Sequence, residues 1–233
     1  MLTGCGIELD ARETHSARAF PYAGQTLTIK SSVGGLRILP GSGDEVRVDR
    51  WLRGKAADSA TWSLEGDALR LGADCTMIFG DCGARYHVRV PPGVRLVVDG
   101  SDDGIILDKI TQDAEVSSSG PIRAYGTSGR LRLRGHDSLI AGTGLRSADV
   151  RARTGSGSIT LSFAVPPDNL DALSGDGRVT ATVPRSAYAV TVHSRHGKER
   201  SQIKSSQSPR TIVARSTTGD VRVNAGRSPA AAP

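Results

Sequence analysis

From Gly100 onward the sequence repeats itself: a small or polar stretch, a glycine, any residue, then a β-branched or aliphatic one. The copies are Ser118-Ser119-Gly120-Pro121-Ile122, Thr154-Gly155-Ser156-Gly157-Ser158-Ile159, Ser174-Gly175-Asp176-Gly177-Arg178-Val179 and Thr217-Thr218-Gly219-Asp220-Val221, with Ser194-Arg195-His196-Gly197 as a weaker one. Aligning Gly120, Ser138, Gly157, Gly177, Gly197 and Gly219 gives steps of 18, 19, 20, 20 and 22 residues. Between these points lies a second apolar set: Leu131 and Leu133, Val150, Leu170 and Leu173, Tyr188 with Val190 and Val192, then Ile212 and Val213. Each step therefore holds two short strands. A unit of that size cannot bury its apolar face alone and must stack on its neighbours. The pattern predicts an all-β solenoid, a parallel β-helix with coils of about 20 residues. A β-sandwich with glycine-rich hairpins is the competing arrangement. The persistence of the step, and the lack of Asn-Gly hairpin signals in this region, favour the solenoid.

The residue types suit stacked corners. Glycine is expected where the chain takes positive φ or packs against the coil below. Ser and Thr there can bond to neighbouring backbone, while Val, Ile and Leu stack inward as ladders. Upstream, apolar residues alternate with period two: Leu27 and Ile29, Leu36 and Ile38, Val46 and Val48, Tyr86 with Val88 and Val90, Leu96 and Val98. Trp62 to Leu64 and Ala68 to Leu71 flank Glu65-Gly66-Asp67, a hairpin signal, and Pro91-Pro92-Gly93 ends a strand. Many tight turns and few large side chains agree with 28 glycines and 4% aromatics in 233 residues. Three segments are expected: a lipobox and tether over 1–18, one β domain over 19–226, and a disordered tail over 227–233. No run of eighteen apolar residues occurs.

Three cysteines are an odd number, which in an exported chain leaves one thiol with a separate fate. Leu2-Thr3-Gly4-Cys5 matches a lipobox, making Cys5 the expected lipidation site and the membrane, through that lipid, the expected partner. Only Met1 precedes this motif, so a signal peptide is expected to be encoded upstream; the alternative is a cytosolic protein that happens to begin this way. The polar stretch Ile7 to Arg18 reads as a tether, with order beginning near Phe20. Cys75 and Cys82 are then expected to pair as a disulfide, as befits an extracytoplasmic compartment.

The strand Leu27-Thr28-Ile29 running into Ser31-Ser32-Val33-Gly34-Gly35-Leu36-Arg37-Ile38, the Val46-Arg47-Val48-Asp49-Arg50 strand, the Val90-Pro91-Pro92-Gly93-Val94 step and the Ser/Thr-x-Gly-x-Val/Ile repeats resemble the bacterial DUF4097 family of adhesin-like proteins. The resemblance covers about residues 20 to 225. It implies a right-handed parallel β-helix, frequently on a surface protein or lipoprotein, and no catalytic residues to carry over. Relatives with Asp-Gly in the repeat are matched here only loosely, since several copies carry Ser, Pro or Arg.

Candidate chemistry is sparse. His136, Asp137 and Ser138 have the residue types of a hydrolase triad, but neighbours along a strand point to opposite faces. His193, His196, Cys75 and Cys82 lack zinc spacing, and Asp102-Asp103-Gly104 and Asp176-Gly177 fit turns better than calcium loops. No metal or cofactor is expected. The stronger signal is arginine. Arg123, Arg130, Arg132, Arg134, Arg146, Arg151 and Arg153 crowd one stretch, against Asp137 and Asp149 as its acids between 116 and 167. With Leu131 and Leu133 inward, Arg130, Arg132 and Arg134 face out, and stacked coils would set Arg132 beside Arg151. Such a strip, in a chain of net charge +6, suits phosphate or carboxylate groups of envelope polymers or lipids. Aromatics interleaved for nucleic acid are missing, so no nucleic-acid partner is expected. The sequence points to a noncatalytic, membrane-anchored scaffold or adhesin-like binding module of the cell envelope. A polysaccharide-active β-helix enzyme is the alternative, and a partner in envelope-stress sensing a third reading.

Overall fold

The structure, a computed structural model, describes residues 13–75 and 82–226. Cys5, the polar segment as far as residue 12 and the tail from Arg227 lie outside the described residues. The N-terminal part runs β1 (Thr14–Pro21), β2 (Thr26–Ser31), β3 (Gly35–Pro40), β4 (Glu45–Gly54), a single helical turn α1 (Ala56–Ser59), β5 (Thr61–Glu65), β6 (Ala68–Gly72) and β7 (Cys82–Val90). The repeats follow as β8 (Arg95–Gly100), β9 (Ile105–Asp108), β10 (Ala114–Ser118), β11 (Ile122–Tyr125), β12 (Leu131–Gly135), β13 (Ile140–Leu145), β14 (Asp149–Thr154), β15 (Ile159–Phe163), β16 (Asn169–Ser174) and β17 (Val179–Pro184). The last four are β18 (Ala189–Ser194), β19 (Glu199–Ser201), β20 (Thr211–Ser216) and β21 (Val221–Gly226).

Among the described residues these strands build two sheets. One holds eleven strands in the order β1-β4-β7-β3-β9-β11-β13-β15-β17-β21-β19, the other ten in the order β18-β20-β16-β14-β12-β10-β8-β2-β6-β5. We refer to them as the eleven-strand and ten-strand sheets. From β8 to β17 the chain changes sheet at every strand, and each strand pairs in parallel with the one two places on. Inward residues consequently stack on their own kind. Leu96, Ala114, Leu131, Val150, Leu170 and Ile212 form one ladder, and Leu36, Ile105, Ile122, Ile140, Ile159, Val179 and Val221 another. All are buried, and the two ladders face each other in a single core. Leu173 and Val213, expected inward, have the opposite parity; Ala172 and Ala214 take the buried places.

Glycine recurs at the corners because coils approach closely there. A methyl group on Gly157 would overlap the carbonyl oxygen of Ser138, one on Gly177 that of Gly157, and one on Gly219 that of Gly177. These glycines have no positive φ; crowding from the adjacent coil selects them. A buried hydroxyl accompanies each corner. Ser174 Oγ accepts from Gly177 N and donates to Gly157 O, both at 2.8 Å. Ser216 Oγ accepts from Gly219 N and donates to Gly177 O, both at 2.9 Å. Ser194 Oγ accepts from Gly197 N and donates to Gly219 O, both at 2.8 Å. Each serine so satisfies two backbone groups that the turn would otherwise leave unpaired.

This ladder shows that space and sequence part company at the end of the stack. The corners lie in the order Gly157, Gly177, Gly219, Gly197: β18 and β19 are the outermost strands, and the later β20 and β21 are inserted beneath them. The weak copy at Gly197 is the edge coil, and its strands β18 and β19 are correspondingly exposed. The N-terminal end does the same, since β2 and β3 sit between β6 and β8 and between β7 and β9.

Two antiparallel additions extend the N-terminal end. β4 pairs with β7 and then β1, and β5 pairs with β6 through a loop in which Gly66 has φ +56°. Residues 14–18, expected within the tether, are therefore strand; backbone pairing to β4 orders them without a regular apolar face. Tyr22 is buried beside this hairpin, its hydroxyl donating to Thr26 O at 2.7 Å and lying 3.0 Å from Asp67 Oδ1. Burial, then the Asp67 carboxylate, pushes the phenol up to about 12. Cys75 and Cys82 are joined by a disulfide with their Cα atoms 5.8 Å apart.

Candidate functional site

The ten-strand sheet turns Arg130, Arg132 and Arg134 outward, because Leu131 and Leu133 occupy the inward places of the same strand. Parallel register then sets Arg132 beside Arg151 and Arg134 beside Arg153 on β14. On the other side β10 places Glu115 beside Arg132. The five arginines singled out in the sequence thus meet on one face, around a groove of about 340 Å³ to which Arg95 and Asp113 also contribute. Arg123 and Arg146 do not join them. Arg123 lies on β11 in the other sheet, and Arg146 in the exposed turn between β13 and β14.

The field is interleaved with carboxylates. Arg132 holds Asp149 at two points, Nη1 to Oδ1 at 3.0 Å and Nη2 to Oδ2 at 3.1 Å. That pairing holds the Asp149 carboxyl below its ordinary range and raises Arg132. Asp171 gathers Arg151, Arg153 and Arg215 at 3.4, 3.1 and 3.2 Å, and Glu115 takes Arg95 and Arg134 at 3.7 Å each. Arg130 lies 3.9 Å from Asp113 and 3.6 Å from Asp149. Seven arginines face four carboxylates, so the field keeps three positive charges in excess. Three of those acids, Asp113, Glu115 and Asp171, come from outside residues 116–167, brought in by strands on either flank. Arg134 is 68% and Arg130 58% exposed, which leaves their guanidiniums accessible to a second anion.

The remaining sequence candidates serve the corners. Asp137 Oδ1 accepts from Ser156 N at 3.2 Å and Ser156 Oγ at 3.0 Å, Ser138 Oγ donates to Ser119 O, and His136 O accepts from Thr154 Oγ1 at 3.0 Å. Asp103 Oδ2 accepts from Gly34 N at 2.8 Å, and Asp176 Oδ1 from Thr218 Oγ1 at 3.2 Å. Among the described residues no group of three or more His, Cys, Asp or Glu is placed to hold a metal. No described helix is long and apolar enough to cross a membrane.

Sequence reasoning missed the outer face of the eleven-strand sheet. There Trp51 stacks on His15 with ring centroids 4.7 Å apart, and His87 meets its edge at 4.6 Å. The Arg85 guanidinium sits 4.8 Å from the Trp51 ring centre. Asp49 is buried and paired with Arg89, Arg47 and His15. Burial, then repulsion from Arg37, Arg85 and Arg89, lowers the His87 imidazole against the opposing pull of Asp49. The alternation Arg85, His87, Arg89 was visible along the chain, but its neighbours belong to β3 and β4, which sequence order does not bring together.

No protein-family model matches the sequence, and no curated protein matches it. Solved structures similar to this chain include the following two. A "putative adhesin" from Parabacteroides distasonis has a TM-score of 0.53 at 11% identity, covering 92% of this chain and 98% of that one. A "putative cell adhesion protein" from Clostridium sporogenes has a TM-score of 0.42 at 8% identity, covering 92% of this chain and 100% of that one. The former likeness is one of fold; the latter carries no argument.

Proposed function

We propose that this chain is a noncatalytic, adhesin-like binding module of the cell envelope, a right-handed β-solenoid held to a membrane by a lipid on Cys5. Its arginine field binds anionic envelope polymers. The observation that carries the reading is the field itself: seven arginines on one face, Arg132 beside Arg151 and Arg134 beside Arg153 in register, with three charges in excess of the four carboxylates that pair with them. A repeating polyanion can exchange with those carboxylates residue by residue along the strip, gaining several weak contacts at once. The all-β fold shared with the Parabacteroides protein named a "putative adhesin" supports the surface role, and the net charge of +6 supports an anionic partner. DUF4097 membership belongs to this proposal as well.

Two measurements test it. Replacing Arg130, Arg132 and Arg134 with Ser should release the protein from immobilised wall polymer or anionic liposomes at low salt; unchanged retention would remove the binding role. Expressed behind a lipoprotein signal peptide, the protein should partition into detergent and take up a palmitate analogue, and Cys5→Ala should lose both properties. Equal partitioning without label would remove the anchor, and non-reducing peptide mapping of the same material checks the Cys75–Cys82 bond.

A further inference from the structure

The eleven-strand sheet carries a second groove of different chemistry, of about 470 Å³, away from the arginine field. Its floor is Gly35 and Ile106. A methyl group built on Gly35 would meet nothing nearer than the Asp103 carbonyl oxygen at 3.9 Å, so the space above this glycine is open. Arg85 and Arg37 line it as well, but both are engaged: Arg85 with Trp51 and Glu13, and Arg37 in its ion pair with Asp108. In register across three strands, Ile106 lies between Arg37 on one side and Arg123 on the other, and His87 stands beside Arg37. The Arg123 side chain makes no ion pair or hydrogen bond among the described residues, unlike the paired arginines of the other sheet.

We propose that this groove binds a single carboxylated sugar ring, the uronic-acid unit of an acidic polysaccharide. A pyranose ring has one face lined by C–H groups and a rim of hydroxyls, and a uronate adds one planar carboxylate. The C–H face lies on Ile106 and the open backbone at Gly35. The carboxylate takes the two-point guanidinium pairing that Arg123 has free to give, and His87 and the Asp103 carbonyl face the hydroxyls. Inorganic phosphate would gain the Arg123 contact and leave the apolar floor wet. A neutral sugar would gain the floor and leave the charge unused.

The test is calorimetric titration with trigalacturonate, with maltotriose and inorganic phosphate as comparators. Binding of trigalacturonate well above both comparators is expected. Arg123→Gln and Gly35→Val should each weaken it about tenfold or more, the second by filling the floor with a side chain suited to a strand. The Arg130, Arg132 and Arg134 to Ser variant removes the contribution of the arginine field, and the trigalacturonate binding that persists in it should be lost on adding Arg123→Gln. An unfolding curve for each variant separates lost binding from lost structure, and if Gly35→Val unfolds early, Arg123→Gln decides. No binding, equal binding of phosphate or maltotriose, or full affinity in Arg123→Gln would overturn the assignment. Complete loss in the triple variant with full affinity in Arg123→Gln would place the sugar on the arginine field and overturn it too.

Discussion

Arg132 on β12 and Asp149 on β14 form a two-point pair, at 3.0 and 3.1 Å, in the middle of the arginine field. Asp149 also touches Arg130 at 3.6 Å and accepts from Asn169 Nδ2 at 3.3 Å, so one carboxylate restrains two of the cations that an incoming anion would seek. Asp149→Asn should therefore strengthen retention on polyanions by about threefold at low salt while lowering stability by about 1 kcal/mol. Retention against salt, read beside a denaturant curve, measures both. The gain should fade above about 0.1 M salt, where exposed charges are screened within ~10 Å.

Glycine at the corners answers to crowding, and one pair of substitutions separates that from backbone freedom. Gly157→Ala drives a methyl into the Ser138 carbonyl and must push two coils apart, at a cost of about 2 kcal/mol or more. Gly35→Ala meets open space in a strand and should be neutral or slightly stabilising. Equal losses for the two in chemical denaturation would contradict this account.

His87 is expected to make the fold acid-sensitive. Its pKa in the folded protein lies below the ordinary 6.5, with burial as the largest cause and Arg37, Arg85 and Arg89 adding repulsion. Below pH 6.5 the unfolded chain binds the proton that the folded chain resists, so stability falls as pH drops from that value toward the lowered one. His87→Gln should flatten that part of the stability profile, and a two-dimensional NMR titration of the imidazole should give a midpoint under 6.5.

At the far end of the ten-strand sheet, the edge strand β18 is sealed by its own chain. Val190 N donates to Ser205 Oγ at 2.9 Å and Ser194 N to Glu199 Oε1 at 2.7 Å. Glu199→Ala with Ser205→Ala uncovers two edge N–H groups. The variant should associate more readily than the parent as concentration rises in light scattering, because an open edge recruits another strand. Identical behaviour would show that the shape of the edge, rather than these side chains, protects it.

Much of the architecture could be read from local pattern. Period-two alternation located the strands, and the small or polar stretch before each repeat glycine marked where coils meet. The outward parity of Arg130, Arg132 and Arg134 followed from Leu131 and Leu133 alone. What escaped depends on which strand lies beside which. Asp171 and Glu115 were invisible as partners because each sits a full circuit from the arginines it holds. Arg123 looked like a member of the strip by position, and one change of sheet sent it to the other face. The exchange of Gly197 and Gly219 leaves no trace in repeat spacing, since both steps are close to twenty residues; only the weak apolar content of β18 and β19 hints at an edge.

The insertion of β20 and β21 beneath an earlier coil bears on how the molecule takes mechanical load. A pull at the end of β21 reaches a strand bonded on one side to β17 and on the other to β19, so two rows of hydrogen bonds must yield together. At the other end, traction first peels β1 from β4, then meets β2, which is clamped between β6 and β8. Force entering from either terminus is stopped one layer in, and the stack resists unzipping from its ends.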